Sequence, residues 1–238
     1  MAFESNQHAL KSFALSLLAF QPLSEALSSA QAATNASPAS DLATSAAPRS
    51  QSLVEPGEAS TMGLKYVITP ERRTLLNTIR FAEGTWKNGT DLGYRVMFGG
   101  GLMASMDRHP DRVIYSSRYA SAAAGAYQFM PFTWNFVRNK LGLSGFGPDQ
   151  QDQGALFLVQ HRKALSLTDH GVMSPQLAAR LAPEWASFPT LRGTSYYGQP
   201  VKSLQRLNSF HKIELAKLRN LRDRRRQELM QEEKQAKL

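Results

Sequence analysis

Residues 33–60, "ATNASPASDLATSAAPRSQSLVEPGEAS", hold only three large apolar side chains, Leu42, Leu53 and Val54. Such a stretch cannot bury enough surface to offset the entropy of ordering it, so it reads as a flexible linker. Whatever core the 238-residue chain builds must therefore come from residues beyond this stretch. The compact part begins near Tyr66 and extends to about residue 215, long enough for a single hydrophobic core. The chain accordingly divides into a leader (1–32), the linker (33–65), a folded domain (66–215) and a charged tail (216–238).

The leader supports two readings. An apolar run at 13–20 follows Lys11, and Ala30-Gln31-Ala32 offers a small-residue cleavage pattern, as in an export signal. Glu4, the single lysine and the long gap before the cleavage pattern suit a short amphipathic or disordered segment instead. Export to the periplasm or beyond is the first expectation for localisation, and retention in the cytoplasm until release is the second. No run is long enough to be a transmembrane helix.

The chain has no cysteine, which excludes disulfides, thiolate metal sites and thiol nucleophiles. Its five histidines include no pair at metal-ligand spacing, so neither metal nor cofactor is expected. The net charge of +9 divides unevenly. Residues 1–70 hold three Lys/Arg and five Asp/Glu, residues 71–210 sixteen and nine, and residues 211–238 nine and five. The folded part and its tail are therefore basic, which favours an anionic partner such as nucleic acid, a membrane surface or bacterial wall.

Within the folded part, "ITPERRTLLNTIRFAE" opens with helix-start residues: Thr69 as N-cap, Pro70 at the first helical position and Glu71 in the first turn. Gly84 ends that helix. Residues 93–119 change to glycine-rich turns around "YRVMF" and "RVIYSS", the pattern of a small β-region. Helices are expected over Pro131–Leu141, 149–165 and 174–186, and a last one starts near Lys202 and runs into the tail. The fold class is α+β: helices around one small hairpin region.

Three glutamates fall between residues 71 and 210, and one is misplaced for a surface residue. Leu75, Leu76, Ile79 and Ala82 form one apolar helical face, and Glu83, four after Ile79, extends it. There, desolvation and the negative end of the helix dipole both raise a carboxyl pKa, which suits a general acid for glycoside cleavage. The alternative is a glutamate that reaches past the helix edge to Arg80 or Arg118. In "SAAAGAYQFMPFTW", small residues permit close backbone approach, and Tyr127 and Gln128 would offer a ring and an amide to a sugar; Tyr127 as a core residue is the other reading. "WASFPTLRGTSYYGQP", at 185–200, places aromatics in a Gly/Pro-punctuated loop suited to a binding rim, with Trp185 itself in the core.

The ordered series "FAEGT", "GYRVMFGG", "RHPDRV", "SAAAGAYQFMPFTW", "LGLSGFGPDQQDQGAL" and "WASFP…YYGQ" resembles the bacteriophage lambda lysozyme family of phage endolysins and related bacterial muramidases. The resemblance spans roughly residues 70–215. It implies a lysozyme-like fold with a cleft between two lobes and, as substrate, peptidoglycan glycan strands. It further implies lytic transglycosylase activity: cleavage of the bond between N-acetylmuramic acid and N-acetylglucosamine with a 1,6-anhydromuramic end. The family's catalytic glutamate falls on Glu83, and its substrate-binding positions fall on Tyr127, Gln128 and Tyr197. After the "GY" pair the family's pattern has an aspartate where this chain has Arg95, so no assisting carboxylate carries over there.

A hydrolytic muramidase would need a second carboxylate, for which Asp91, Asp107 and Asp111 are the nearby candidates. A non-catalytic wall-binding module is the reading from another class. A monomer is expected, with no specific nucleic acid as partner. The tail "HKIELAKLRNLRDRRRQELMQEEKQAKL" reads as a solvated helix extension, with wall or lipid contact as its alternative.

Overall fold

The computed structural model describes residues 65–117 and 120–237. The expectations for the leader and linker, and Arg118 as a partner for Glu83, lie outside the described residues. Helix α1, Pro70–Ala82, starts as its sequence dictates: Thr69 Oγ1 accepts from the Arg72 N–H at 3.3 Å, and Pro70 needs no partner. Its face of Leu75, Leu76 and Ile79 is wholly buried. Helix α2, Pro131–Leu141, ends on left-handed Gly142, as expected. Then come α3 (Pro148–His161), α4 (Leu165–Asp169), α5 (Pro175–Leu181) and α6 (Leu204–Gln235).

Two expected helices are shorter than the sequence pattern. The 149–165 segment breaks after His161 because Lys163 adopts φ 56°, with its carbonyl held by Arg180 Nη1 at 3.0 Å. The 174–186 segment stops at Leu181: Pro183 has no N–H to continue the ladder, and Glu184 turns to Arg162, 2.6 Å away.

The β-region is smaller than expected. β1, Ile114–Tyr115, pairs antiparallel with β2, Ala120–Ser121, and the "YRVMF" segment forms isolated bridges, Val96 to Leu102 and Met97 to Ala124, in place of a strand. Arg95 explains the local shape. Its guanidinium donates to the Met103 carbonyl at 2.9 Å and to the Ala104 carbonyl at 3.2 Å, so this residue staples a loop.

One core joins Leu75, Leu76 and Ile79 of α1 to Leu156 of α3 and Leu177 of α5, and it includes an edge-to-face aromatic cluster in which the Trp134 and Phe146 rings lie 4.6 Å apart and Phe129 and Trp134 5.1 Å apart. Three consecutive α3 residues tie it to the rest of the chain. Gln151 Nε2 donates to the carbonyls of Tyr94 (3.0 Å) and Phe146 (2.7 Å), while its Oε1 accepts from the Ala126 N–H at 2.8 Å. Asp152 accepts from Arg73, Tyr94 and Tyr127. Gln153 brackets both backbone groups of Tyr66, at 2.7 and 2.8 Å. The "DQQDQ" run is thus structural.

The tail is continuous with the body. The first half of α6 packs on α1: Phe210 stacks on Phe81 at 4.4 Å, Asn77 donates to Glu214 at 2.9 Å, and Arg219 pairs with Glu71 at 2.9 Å. From residue 220 onward every described residue is exposed. At this interface Thr78 Oγ1 lies 3.0 Å from His211 Nδ1, and the Thr78 hydroxyl proton goes to the Thr74 carbonyl at 2.8 Å. The ring nitrogen must therefore be the donor in that pair. Burial pushes the His211 imidazolium down to about 4, against a smaller opposing effect of the Gly171 backbone. The unfolded chain binds this proton near pH 6.5 and the folded protein only near 4. The contribution is intact above pH 6.5 and declines as the pH falls from there towards 4. Urea denaturation at several pH values should show His211→Gln losing less stability than wild type over that window, and parallel curves would refute this.

Candidate active site

Glu83 is the C-cap residue of α1, and "EGT" is its closing motif. Gly84, at φ 75°, turns the chain left-handed, and its N–H reaches the Phe81 carbonyl at 3.4 Å while that of Thr85 reaches Arg80 at 2.9 Å. These are the paired bonds of a Schellman termination. Thr85 Oγ1 then donates to the Ala126 carbonyl at 2.5 Å, fastening the helix end to the "AAAGAYQ" segment. Gly93 packs against the same turn so closely that a Cβ there would lie 2.1 Å from the Thr85 carbonyl oxygen.

The Glu83 side chain is 6% exposed. It does not pair with Arg80, whose guanidinium sits over Trp86 and Tyr94, 5.1 and 4.7 Å from the ring centroids, and donates to the Thr90 carbonyl. Glu83 Oε1 instead accepts from the hydroxyl of Ser187. The Ser187 carbonyl accepts from the Lys202 N–H at 2.9 Å, which joins the wall on either side of that serine. Burial pushes the Glu83 carboxyl up to about 7, against lowering by the Ser187 hydrogen bond and the Lys202 ammonium.

The other sequence candidates lie in different surroundings. Gln128 is 9% exposed and holds φ 48°; its Nε2 donates to Gly125 (2.9 Å) and Val96 (3.2 Å), so only its amide oxygen can address a ligand. Tyr127 is 1% exposed, with its hydroxyl on Asp152 and its carbonyl accepting from Trp185 Nε1 at 3.1 Å. It occupies the core, the alternative the sequence left open, and supports the wall from behind. Trp185 is core as expected. The half-buried Tyr197 hydroxyl donates to the Pro183 carbonyl at 2.8 Å, on the side of Glu184 and Arg162. Asp91, Asp107 and Asp111 are exposed, and among the described residues none makes a hydrogen bond or ion pair with Glu83 or Ser187. A pocket of about 340 Å³ is lined by Asp107, His109, Trp134 and Arg138 without Glu83. No cluster among the described residues could hold a metal ion.

The family described as Endolysin matches residues 73–218, more than half of the chain. The chain belongs to the endolysin family. It is 34% identical over 127 residues to the endolysin of Escherichia phage lambda, covering 51% of this chain and 79% of that protein. Its fold is similar to that of bacteriophage lambda lysozyme complexed with a chitohexasaccharide, at TM-score 0.56 and 30% identity over 63% of this chain and 96% of that one. A second structure of the phage lambda lysozyme gives 0.51 and 28% over 65% and 96%. The lysozyme-like α+β fold expected from the motifs is thus the observed one.

Sequence reasoning missed Ser187 and Lys202. A serine 104 residues from its glutamate carries no periodic signal; the only available hint was its place in the "WASFP" run.

Proposed function

We propose that this endolysin cleaves peptidoglycan glycan strands as a lytic transglycosylase, with Glu83 as the only acid and base. The observation that carries the reading is a buried carboxyl, pushed by burial up to about 7, whose partner is a neutral serine and not a second carboxylate. Protonated Glu83 gives its proton to the glycosidic oxygen as the bond from muramic C1 to that oxygen breaks. The resulting carboxylate takes the proton of the muramic C6 hydroxyl as its oxygen bonds to C1. The 1,6-anhydro ring closes, no water is consumed, and Glu83 regains its starting proton. The phage lambda lysozyme complexed with a chitohexasaccharide supports a glycan as the ligand beside Glu83, with the Gln128 amide oxygen available to it. The basic domain suits a substrate made anionic by its lactyl and peptide carboxylates.

Mass spectrometry of fragments released from purified peptidoglycan tests the chemistry. Anhydromuramic ends are expected. Reducing ends would instead require a water-activating carboxylate and send the search to Asp91, Asp107 and Asp111.

A further inference from the structure

We propose that Ser187 is a positioning residue that assigns separate roles to the two oxygens of Glu83. The inference rests on Glu83 as the proton-transferring group, but not on whether water or the C6 hydroxyl completes the reaction. A hydroxyl that donates to Oε1 favours the form in which Oε1 carries no proton, because a protonated oxygen is the weaker acceptor. The bond thus biases the acidic proton to Oε2, the oxygen that Ser187 leaves free to give it up. The backbone that carries this hydroxyl is fixed, because the Ser187 carbonyl is held by the Lys202 N–H at 2.9 Å and the next residue, Phe188, is wholly buried.

The same bond changes strength during the reaction. While Glu83 is neutral, Ser187 donates to a carbonyl oxygen. As the proton leaves Oε2, it donates to a carboxylate, and hydrogen bonds to ionised groups are about twice as strong as those between neutral ones. The gain appears only as the proton departs, so it stabilises the transition state over bound substrate and acts on kcat. The charges bearing on this carboxyl are few. Lys202 bears on it electrostatically, and Arg80, on α1 itself, is engaged by Trp86, Tyr94 and Thr90.

The test uses the full chain and compares wild type with Ser187→Ala and Ser187→Thr. Ser187→Ala should lower kcat roughly tenfold, the difference between a charged and a neutral hydrogen bond, with KM within about twofold and the alkaline limb of the pH–rate profile moved upward. Ser187→Thr, which retains the hydroxyl, should recover most of the rate. A direct carbon NMR titration of the Glu83 carboxyl should show the same upward displacement in Ser187→Ala, whatever the products are. An unmoved carboxyl titration in folded Ser187→Ala would overturn the proposal, as would a loss confined to KM or a threonine variant as impaired as alanine. Titration displaced as expected but with hydrolytic products would leave Ser187 in its role and refute the transglycosylase reading alone.

Discussion

Glu83→Gln is expected to slow glycan cleavage about 10²–10⁴-fold, the usual contribution of a positioned general acid, and also to make the folded protein more stable at pH 8. The second effect follows from burial. In the unfolded chain the carboxyl ionises near 4.5, and in the folded protein near 7. Below pH 4.5 both states hold the proton and the group is neutral in its effect. Between 4.5 and 7 the folded protein keeps a proton that the unfolded chain has released, so its stability falls as the pH rises. Above 7 the loss is complete, on the order of 3 kcal/mol for a displacement of this size. An amide of the same shape cannot ionise and avoids that loss. His211 has the opposite slope, because its folded form resists a proton that the unfolded chain accepts. Over the pH range where both act, the two largely cancel in the wild type. Glu83→Gln should therefore expose a stability that rises with pH between about 4.5 and 6.5, and urea titrations at pH 5 and 8 would show it. A variant that is inactive but no more stable at pH 8 would mean that the carboxyl is solvated in solution and titrates normally.

Glu83 was legible in the sequence because two independent signals converge on it. The stripe of Leu75, Leu76 and Ile79 fixes which face of α1 is buried, and Gly84 fixes where the helix ends. Both are local, and local signals survive folding. Tyr127 and Gln128 show the limit. As adjacent residues among small ones they look like a matched ring and amide, yet Gln128 adopts a left-handed backbone, and the two side chains part, one to Asp152 in the core and the other to the wall by Val96. Nothing in the residue types announces that geometry, which the contacts of Gly125 and Gln151 impose. The "YRVMF" segment fails as a strand for a related reason. Its apolar residues are buried by turns and single bridges, and elements this short have no period to read. Ser187 and Lys202 illustrate the remainder, since contacts between residues so far apart in sequence belong to the tertiary fold and leave no pattern in either segment.

Asp152→Ala should cost about 2–6 kcal/mol, because it strands two buried tyrosine hydroxyls at about 1–3 kcal/mol each. The Asp152 side chain is 2% exposed, whereas that of Arg73, 2.6 Å away, is 29% exposed. The arginine can turn to water when its partner is lost. The tyrosines cannot: Tyr127 and Tyr94 are 1% and 3% exposed, and both hydroxyls donate to Asp152 Oδ1. Burial and then the Asp152 charge push the Tyr127 phenol well up and that of Tyr94 to about 12, so both remain donors at any working pH and would be left buried without an acceptor. Asp152→Asn keeps a carbonyl oxygen for the tyrosines and gives up only the charge, so it should fall between alanine and wild type in urea unfolding. The damage should also reach the active site. Tyr127 precedes Gln128, and its carbonyl holds the Trp185 indole, two residues before the serine that contacts Glu83. Slackening the Tyr127 anchor loosens both walls together, so Asp152→Ala should lose activity at temperatures well below its own unfolding midpoint. Full activity up to that midpoint would separate the core network from the site and leave Asp152 as a stability residue alone.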